Sequence, residues 1–141
     1  MTAQTLDDVR TLLVAPSPAV LTTYRKDGSA LTSPAWLRWT SLAFEPVIAR
    51  DAVKLRHLEG NPECCPVIFE TPAPVRGVEL RGAASPTQCD VTEIRRSIAT
   101  RYLGSEAGER FATARASTPG ILIQLFPRRP RLYDLAAILP N

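Results

Sequence analysis

The segment from Ala19 to Trp39 restricts the fold more than any other. Residues Ala19 to Tyr24 are apolar or β-branched, Lys26-Asp27-Gly28 is a turn signal, and a second extended run follows from Ala30 to Trp39. Two such runs about a short glycine-containing turn make a β-hairpin. Phe44 to Ala49 reads as a third strand. Cys64 to Glu70 and Val75 to Ala84 are two more, about a Pro72-Ala73-Pro74 turn, and Gly120 to Phe126 and Arg131 to Leu135 form a final pair. Val78 and Leu80 alternate with Glu79 and Arg81, so half of that strand faces water or a partner.

Helical patterns fall between the strands. Thr5 with Asp8 is an acidic variant of the capping box, opening a short helix with Leu6, Val9, Leu12 and Leu13 at helical spacing and Pro16 and Pro18 at its end. Asp51 reads as the cap of a helix running through Glu59, closed by Gly60 in the left-handed position with Asn61-Pro62 behind it. Asp90 and Glu93 form another capping box, opening a helical region to about Ala116 that Gly104 and Ser105 break in two. Six or seven strands with a helix between the third and fourth make an α+β plan. A barrel is the favoured closure, because it protects strand edges that a small open sheet would expose. No repeat, low-complexity tract or linker divides residues 1–141, and one domain is expected.

Hydrophobic residues at 45% and charged residues at 22% are the proportions of a folded globular chain. There is no run of about eighteen apolar residues, which speaks against a membrane span. MTAQTLDDVR carries two acids where an export signal needs a basic and then apolar start, so a cytoplasmic protein is expected. Cys64, Cys65 and Cys89 cannot all pair and are expected to be free thiols. The net charge of +3 suits an anionic ligand but is spread over 17 basic and 14 acidic residues, too thinly to indicate nucleic acid by itself.

Chemistry concentrates around Ile48 to Leu58. A helix start leaves backbone N–H groups unpaired and carries partial positive charge, so it attracts phosphate. Arg50 just before the cap and Lys54 in the first turn are cations where the helix dipole favours acids, which opposes the helix unless an anion lies between them. The same residues also fit a solvated cationic face with Leu55 and Leu58 packed inward.

Three motifs, in this order and spacing, carry a family likeness: Val20-Leu21-Thr22-Thr23 with the Asp27-Gly28 turn, Val53-Lys54-Leu55-Arg56-His57-Leu58 before Asn61-Pro62, and Arg76-Gly77-Val78-Glu79-Leu80-Arg81-Gly82. Together they resemble the pyridoxamine 5′-phosphate oxidase-like, FMN-binding split β-barrel family, including its deazaflavin branch, across nearly the whole chain. The resemblance implies a mainly antiparallel six- to seven-stranded split β-barrel with peripheral helices, working as a homodimer. It implies that Lys54, with Arg50 or Arg56 close by, grips a cofactor phosphate and that Thr32 and Ser33 line the same pocket. Trp36 or Trp39 is the implied neighbour of the cofactor ring, and Tyr133 an implied contribution from the other subunit. The cofactor would be FMN or, favoured by an arginine-rich coding bias that leaves Lys26 and Lys54 as the two lysines, the deazaflavin coenzyme F420.

The chain departs from the family's oxidases in two places. They commonly have Ser-Arg-Lys where this helix begins, whereas Ala52-Val53-Lys54 stands here. It also lacks their C-terminal basic motif for pyridoxal phosphate, which argues against a vitamin B6 substrate. The expected activity is hydride transfer between the cofactor and a small substrate at the dimer interface. The alternative is a non-catalytic flavin or tetrapyrrole carrier.

Other constellations are poorer. His57 has no nucleophile-elbow serine or cysteine with it, and the cysteines with His57 supply no metal-ligand spacing. No metal is expected. Arg128-Arg129-Pro130-Arg131 is the densest basic run but lacks the interleaved aromatics of a nucleic-acid surface and reads as an exposed turn.

Overall fold

The computed structural model describes residues 6–40, 42–71 and 73–140, except for the side chains of Asp7 and Asp8. The expected Thr5–Asp8 capping box therefore lies outside the described residues. A 3-10 turn, Leu6–Val9, leads into the short helix α1 (Arg10–Val14), which buries Leu12 and Leu13. As the chain turns away, the Ser17 hydroxyl donates to the Leu12 carbonyl at 2.9 Å.

The hairpin forms as β1 (Ala19–Tyr24) and β2 (Ala30–Ala35), in a register that sets Thr22 opposite Thr32. Gly28 holds a φ of 87° in the turn, a backbone conformation that other residues rarely adopt. Beyond Ala35 the expected second arm breaks. Its remainder is a separate strand, β3 (Arg38–Thr40), paired with β4 (Ala43–Glu45). The expected third strand is likewise two, β4 and β5 (Val47–Ala49), split at Pro46, which has no N–H to continue a ladder.

Helix α2 (Val53–Gly60) joins β5 to β6 (Glu63–Phe69). The expected single strand from Val75 to Ala84 is β7 (Arg76–Leu80) and β8 (Gly82–Thr87), interrupted at Arg81. There the chain changes partners, β7 pairing with the far end of β6 and β8 with its beginning. A Cβ at Gly82 would stand 2.8 Å from the Phe126 carbonyl, so the crossing requires glycine. Helices α3 (Thr92–Leu103) and α4 (Ser105–Ala114) meet at Gly104, whose φ is 85°, and β9 (Gly120–Leu125) and β10 (Pro130–Asp134) complete the sheet.

The described strands number ten, all paired antiparallel. The path runs β10-β7-β6-β8-β9-β4-β3, with β1 carrying β2 onto β6 and β5 on β9. The α+β class is as expected. The closed barrel of six or seven strands is not what forms: proline and the Arg81-Gly82 crossing divide long runs into short strands, and β2, β3 and β10 each have one partner, so the sheet stays open. One core holds Leu21, Phe44, Ile68, Leu80, Ile123 and Leu125 of the sheet together with Leu12 and Leu13 of α1 and Leu55 and Leu58 of α2. Inside the sheet, the buried Glu45 carboxylate accepts from Arg38 Nε at 2.8 Å and Gln124 Nε2 at 2.6 Å, which satisfies both oxygens.

Helix ends differ from expectation. The residue capping α2 is Ala52, not Asp51, and Gly60 belongs to the helix, with Asn61 extended beyond it. The glycine is not left-handed because the Asn61 N–H already reaches the His57 carbonyl at 2.8 Å. Asp90 accepts from the Thr92 N–H at 3.0 Å and hydroxyl at 2.7 Å, while Glu93 pairs with Arg96 and does not reach back to close a capping box. At the C-terminal end, Leu135, Ile138 and Leu139 stand 46%, 76% and 57% exposed, so they do not pack into this chain's own core. No helix among the described residues is long and apolar enough to cross a membrane.

The two long helices pack through Gly108, where a Cβ would lie 2.5 Å from the Thr100 Cα in the facing backbone. Gly108→Val should therefore destabilise the fold by about 1–3 kcal/mol, read as a lower urea midpoint, because backbone cannot move aside as a side chain can. An unchanged midpoint would mean that α3 and α4 do not meet this closely.

Candidate functional site

Five elements surround one groove of about 500 Å³, a volume in the range of small-molecule sites. The end of β2 supplies Pro34 and Ala35, and Trp36 follows. Strand β5 supplies Val47 to Ala49, and the start of α2 supplies Ala52 and Lys54. Opposite them stand Arg95 and Ile98 from α3 and Phe111 from α4, with Arg115 and Thr118 from the turn beyond.

The start of α2 is shaped for an anion. Alanine at the cap has no oxygen to offer, and no side chain caps the helix. Ala52 itself donates to the Ala49 carbonyl at 3.0 Å, and the Leu55 N–H turns back to Ala52 at 3.1 Å. Among the described residues nothing accepts from the N–H groups of Val53 or Lys54. Orphan amides at a helix start, together with the dipole, favour negative charge.

Lys54 sharpens this preference. Its side chain is half-buried in the groove lining and makes no ion pair or hydrogen bond among the described residues. Burial pushes its ammonium below the ordinary lysine range, with the neighbouring Cys64 acting in the opposite sense. Burial drives the Cys64 thiol up to about 12, and Cys65 is raised for the same reason, partly offset by Arg81. An anion beside Lys54 would favour its charged form and offset the cost of burial.

Of the residues singled out in the sequence, the groove unites Lys54 and Trp36. Trp36 is 38% exposed and stacks on Tyr102, ring centroids 5.5 Å apart and planes 10° from parallel. Thr32 and Ser33 point to opposite faces of β2: the Thr32 hydroxyl meets Thr22 at 3.1 Å, whereas Ser33 Oγ is buried without a partner. Arg50 is exposed outside the groove lining. Arg56 lies on the outer face of α2, in a second groove with Arg25, Lys26 and His57, whose Nδ1 is 3.0 Å from the Thr23 hydroxyl. Trp39 packs against the core, and the Tyr133 hydroxyl donates to Glu79 at 3.4 Å on the β10 side. Arg128, in the dense basic run, is held by Glu63 through two bonds of 2.9 Å.

Sequence reasoning missed the wall made by Arg95, Phe111 and Arg115. Nothing local marks these residues; α3 and α4 bring them to the groove only through tertiary packing, fixed in part by Arg101 Nη2 donating to the Leu13 carbonyl at 2.7 Å.

No protein-family model and no curated protein matches the sequence. Solved structures do match. A conserved hypothetical protein from Mycobacterium tuberculosis is similar with a TM-score of 0.80 at 16% identity, over 99% of this chain and 91% of that one. A structure described as F420 reductase matches with a TM-score of 0.71 at 20% identity, over 86% of this chain and 94% of that one. A Listeria innocua protein provisionally named a pyridoxamine 5′-phosphate oxidase matches with a TM-score of 0.66 at 16% identity, over 89% and 95%. At these identities the likeness is one of fold, which this chain shares with all three structures.

The thiols give a check on the geometry beneath Lys54. At pH 8 a thiol reagent should label the exposed Cys89 at once, and Cys64 and Cys65 only on unfolding, because both are buried and their thiolates disfavoured. Rapid labelling of all three would contradict this packing.

Proposed function

We propose that this chain binds a flavin-type cofactor by its phosphate at the start of α2 and serves as an oxidoreductase, as a homodimer. The observation that carries the reading is the uncapped start of α2, where a half-buried, unpaired Lys54 stands beside free backbone N–H groups. Trp36 offers a fixed aromatic surface in the same groove, suited to a planar ring. The fold likeness to an F420 reductase and to a protein provisionally named a pyridoxamine 5′-phosphate oxidase supports this choice of ligand class.

FMN is the first candidate and coenzyme F420 the second. Either supplies hydride-transfer chemistry when bound, which relieves the protein of a dedicated acid–base pair. The chain's part is to hold the phosphate at Lys54, keep the ring against Trp36 and shape the space beside it. Dimerisation would cover surfaces that the single chain leaves in water: the Leu135–Leu139 segment and the one-sided strands β2 and β10.

Two measurements test this. In isothermal titration with FMN and with F420, Lys54→Ala should weaken binding roughly ten- to hundred-fold, the loss of a charge-assisted phosphate contact. Arg50→Ala should have a smaller effect and Arg128→Ala, already engaged with Glu63, none; equal affinity of Lys54→Ala and the parent for both cofactors would place the site elsewhere. Light scattering at micromolar concentration should give a dimer. A chain truncated after Leu132 should lose solubility or dissociate, and a truncated chain that stays dimeric would refute the assignment of that segment.

A further inference from the structure

The groove has more positive charge than one phosphate accounts for, and the excess lies on the wall opposite Lys54. Arg95 donates through Nη1 to the carbonyls of Arg115 at 2.9 Å and Thr118 at 3.0 Å. These bonds fix the guanidinium without neutralising it. Arg115 lays its guanidinium 4.9 Å from the centroid of the Phe111 ring. Among the described residues, neither arginine has a carboxylate partner and no aspartate or glutamate lines the groove. By contrast, Arg96, on the next position of α3, is held by Glu93 and Glu109.

Two aromatic rings meet in the same groove. Phe111 and Trp36 have centroids 5.3 Å apart with planes at 57°, forming an apolar corner. Tyr102 stacks behind Trp36, so the corner is set by the protein's own packing before any ligand arrives. An apolar corner next to two guanidiniums, Arg95 held by hydrogen bonds and Arg115 lying over Phe111, complements a ring bearing an anionic group in its plane, since guanidiniums pair with carboxylates through parallel N–H bonds and stack on rings.

We infer that the groove takes a second ligand, a planar aromatic carboxylic acid, with its ring against Phe111 and its carboxylate on Arg95 and Arg115. In resting on the function proposed above, this names the substrate class: an aromatic acid beside the phosphate-held cofactor. The contacts themselves are made by different residues from those that hold the phosphate.

Benzoate is the probe, titrated calorimetrically into the full chain with and without bound FMN. Benzyl alcohol serves as the ring without charge and acetate as the charge without ring. Benzoate should bind one per chain, at least about tenfold more tightly than either, the scale of one charge-assisted contact. Arg115→Gln, at an exposed position, should weaken benzoate about tenfold. Phe111→Leu should weaken benzoate while leaving acetate as it was. Benzoate no tighter than acetate or benzyl alcohol, an unchanged affinity in Arg115→Gln, or displacement of benzoate by FMN would each overturn the inference. Benzoate binding by these criteria in a protein that does not bind FMN or F420 would instead defeat the phosphate reading and leave the acid site standing.

Discussion

The arrangement depends on one constraint: β6 lies inside the sheet and must satisfy its backbone hydrogen bonds on both edges. β1 takes one edge from Cys65 to Ile68, while β7 and β8 share the other, at Val67 to Phe69 and at Glu63 and Cys64. That division forces the chain to cross at Arg81-Gly82. It also makes β8 the bridge to β9, on which β4 and β5 are built. Helix α2 must then span from β5 to the beginning of β6, which holds its first turn at the seam between the two parts of the sheet. The groove is this seam, roofed by α3 and α4.

The sequence disclosed what is decided locally. The β1–β2 hairpin, the break at Gly104 and the β9 and β10 strands follow from turn chemistry and alternation close along the chain. What it concealed was partner choice. Pro46 and Arg81 divide runs that look continuous, and only the sheet shows which neighbour each half adopts. Asp51 looks like a better cap than Ala52, yet the Ala49 carbonyl accepts the Ala52 N–H and sets the helix start one residue later. The shift matters chemically, because an aspartate cap would have filled with its own carboxylate the place that now suits a ligand's anion.

The candidate site divides in the same way. Lys54 was legible because a cation in the first turn of a helix contradicts the dipole. Trp36 was legible through the family likeness. Arg95, Phe111 and Arg115 were not, since a helical arginine or phenylalanine carries no mark of the surface it will meet. Thr32 and Ser33 illustrate a further limit: neighbours on a strand cannot face one pocket, and the buried Ser33 hydroxyl is on the other side of the sheet from Thr32.

Amide chemical shifts read the central claim, that the uncapped start of α2 receives a phosphate. In isotope-labelled protein titrated with FMN, the Val53 and Lys54 N–H signals should move most. Inorganic phosphate should move the same two at higher concentration, and riboflavin, which lacks the phosphate, should leave them nearly still. Shifts centred instead on Tyr24 to Gly28, in the second basic groove, or equal responses to FMN and riboflavin at Val53 and Lys54, would contradict the account.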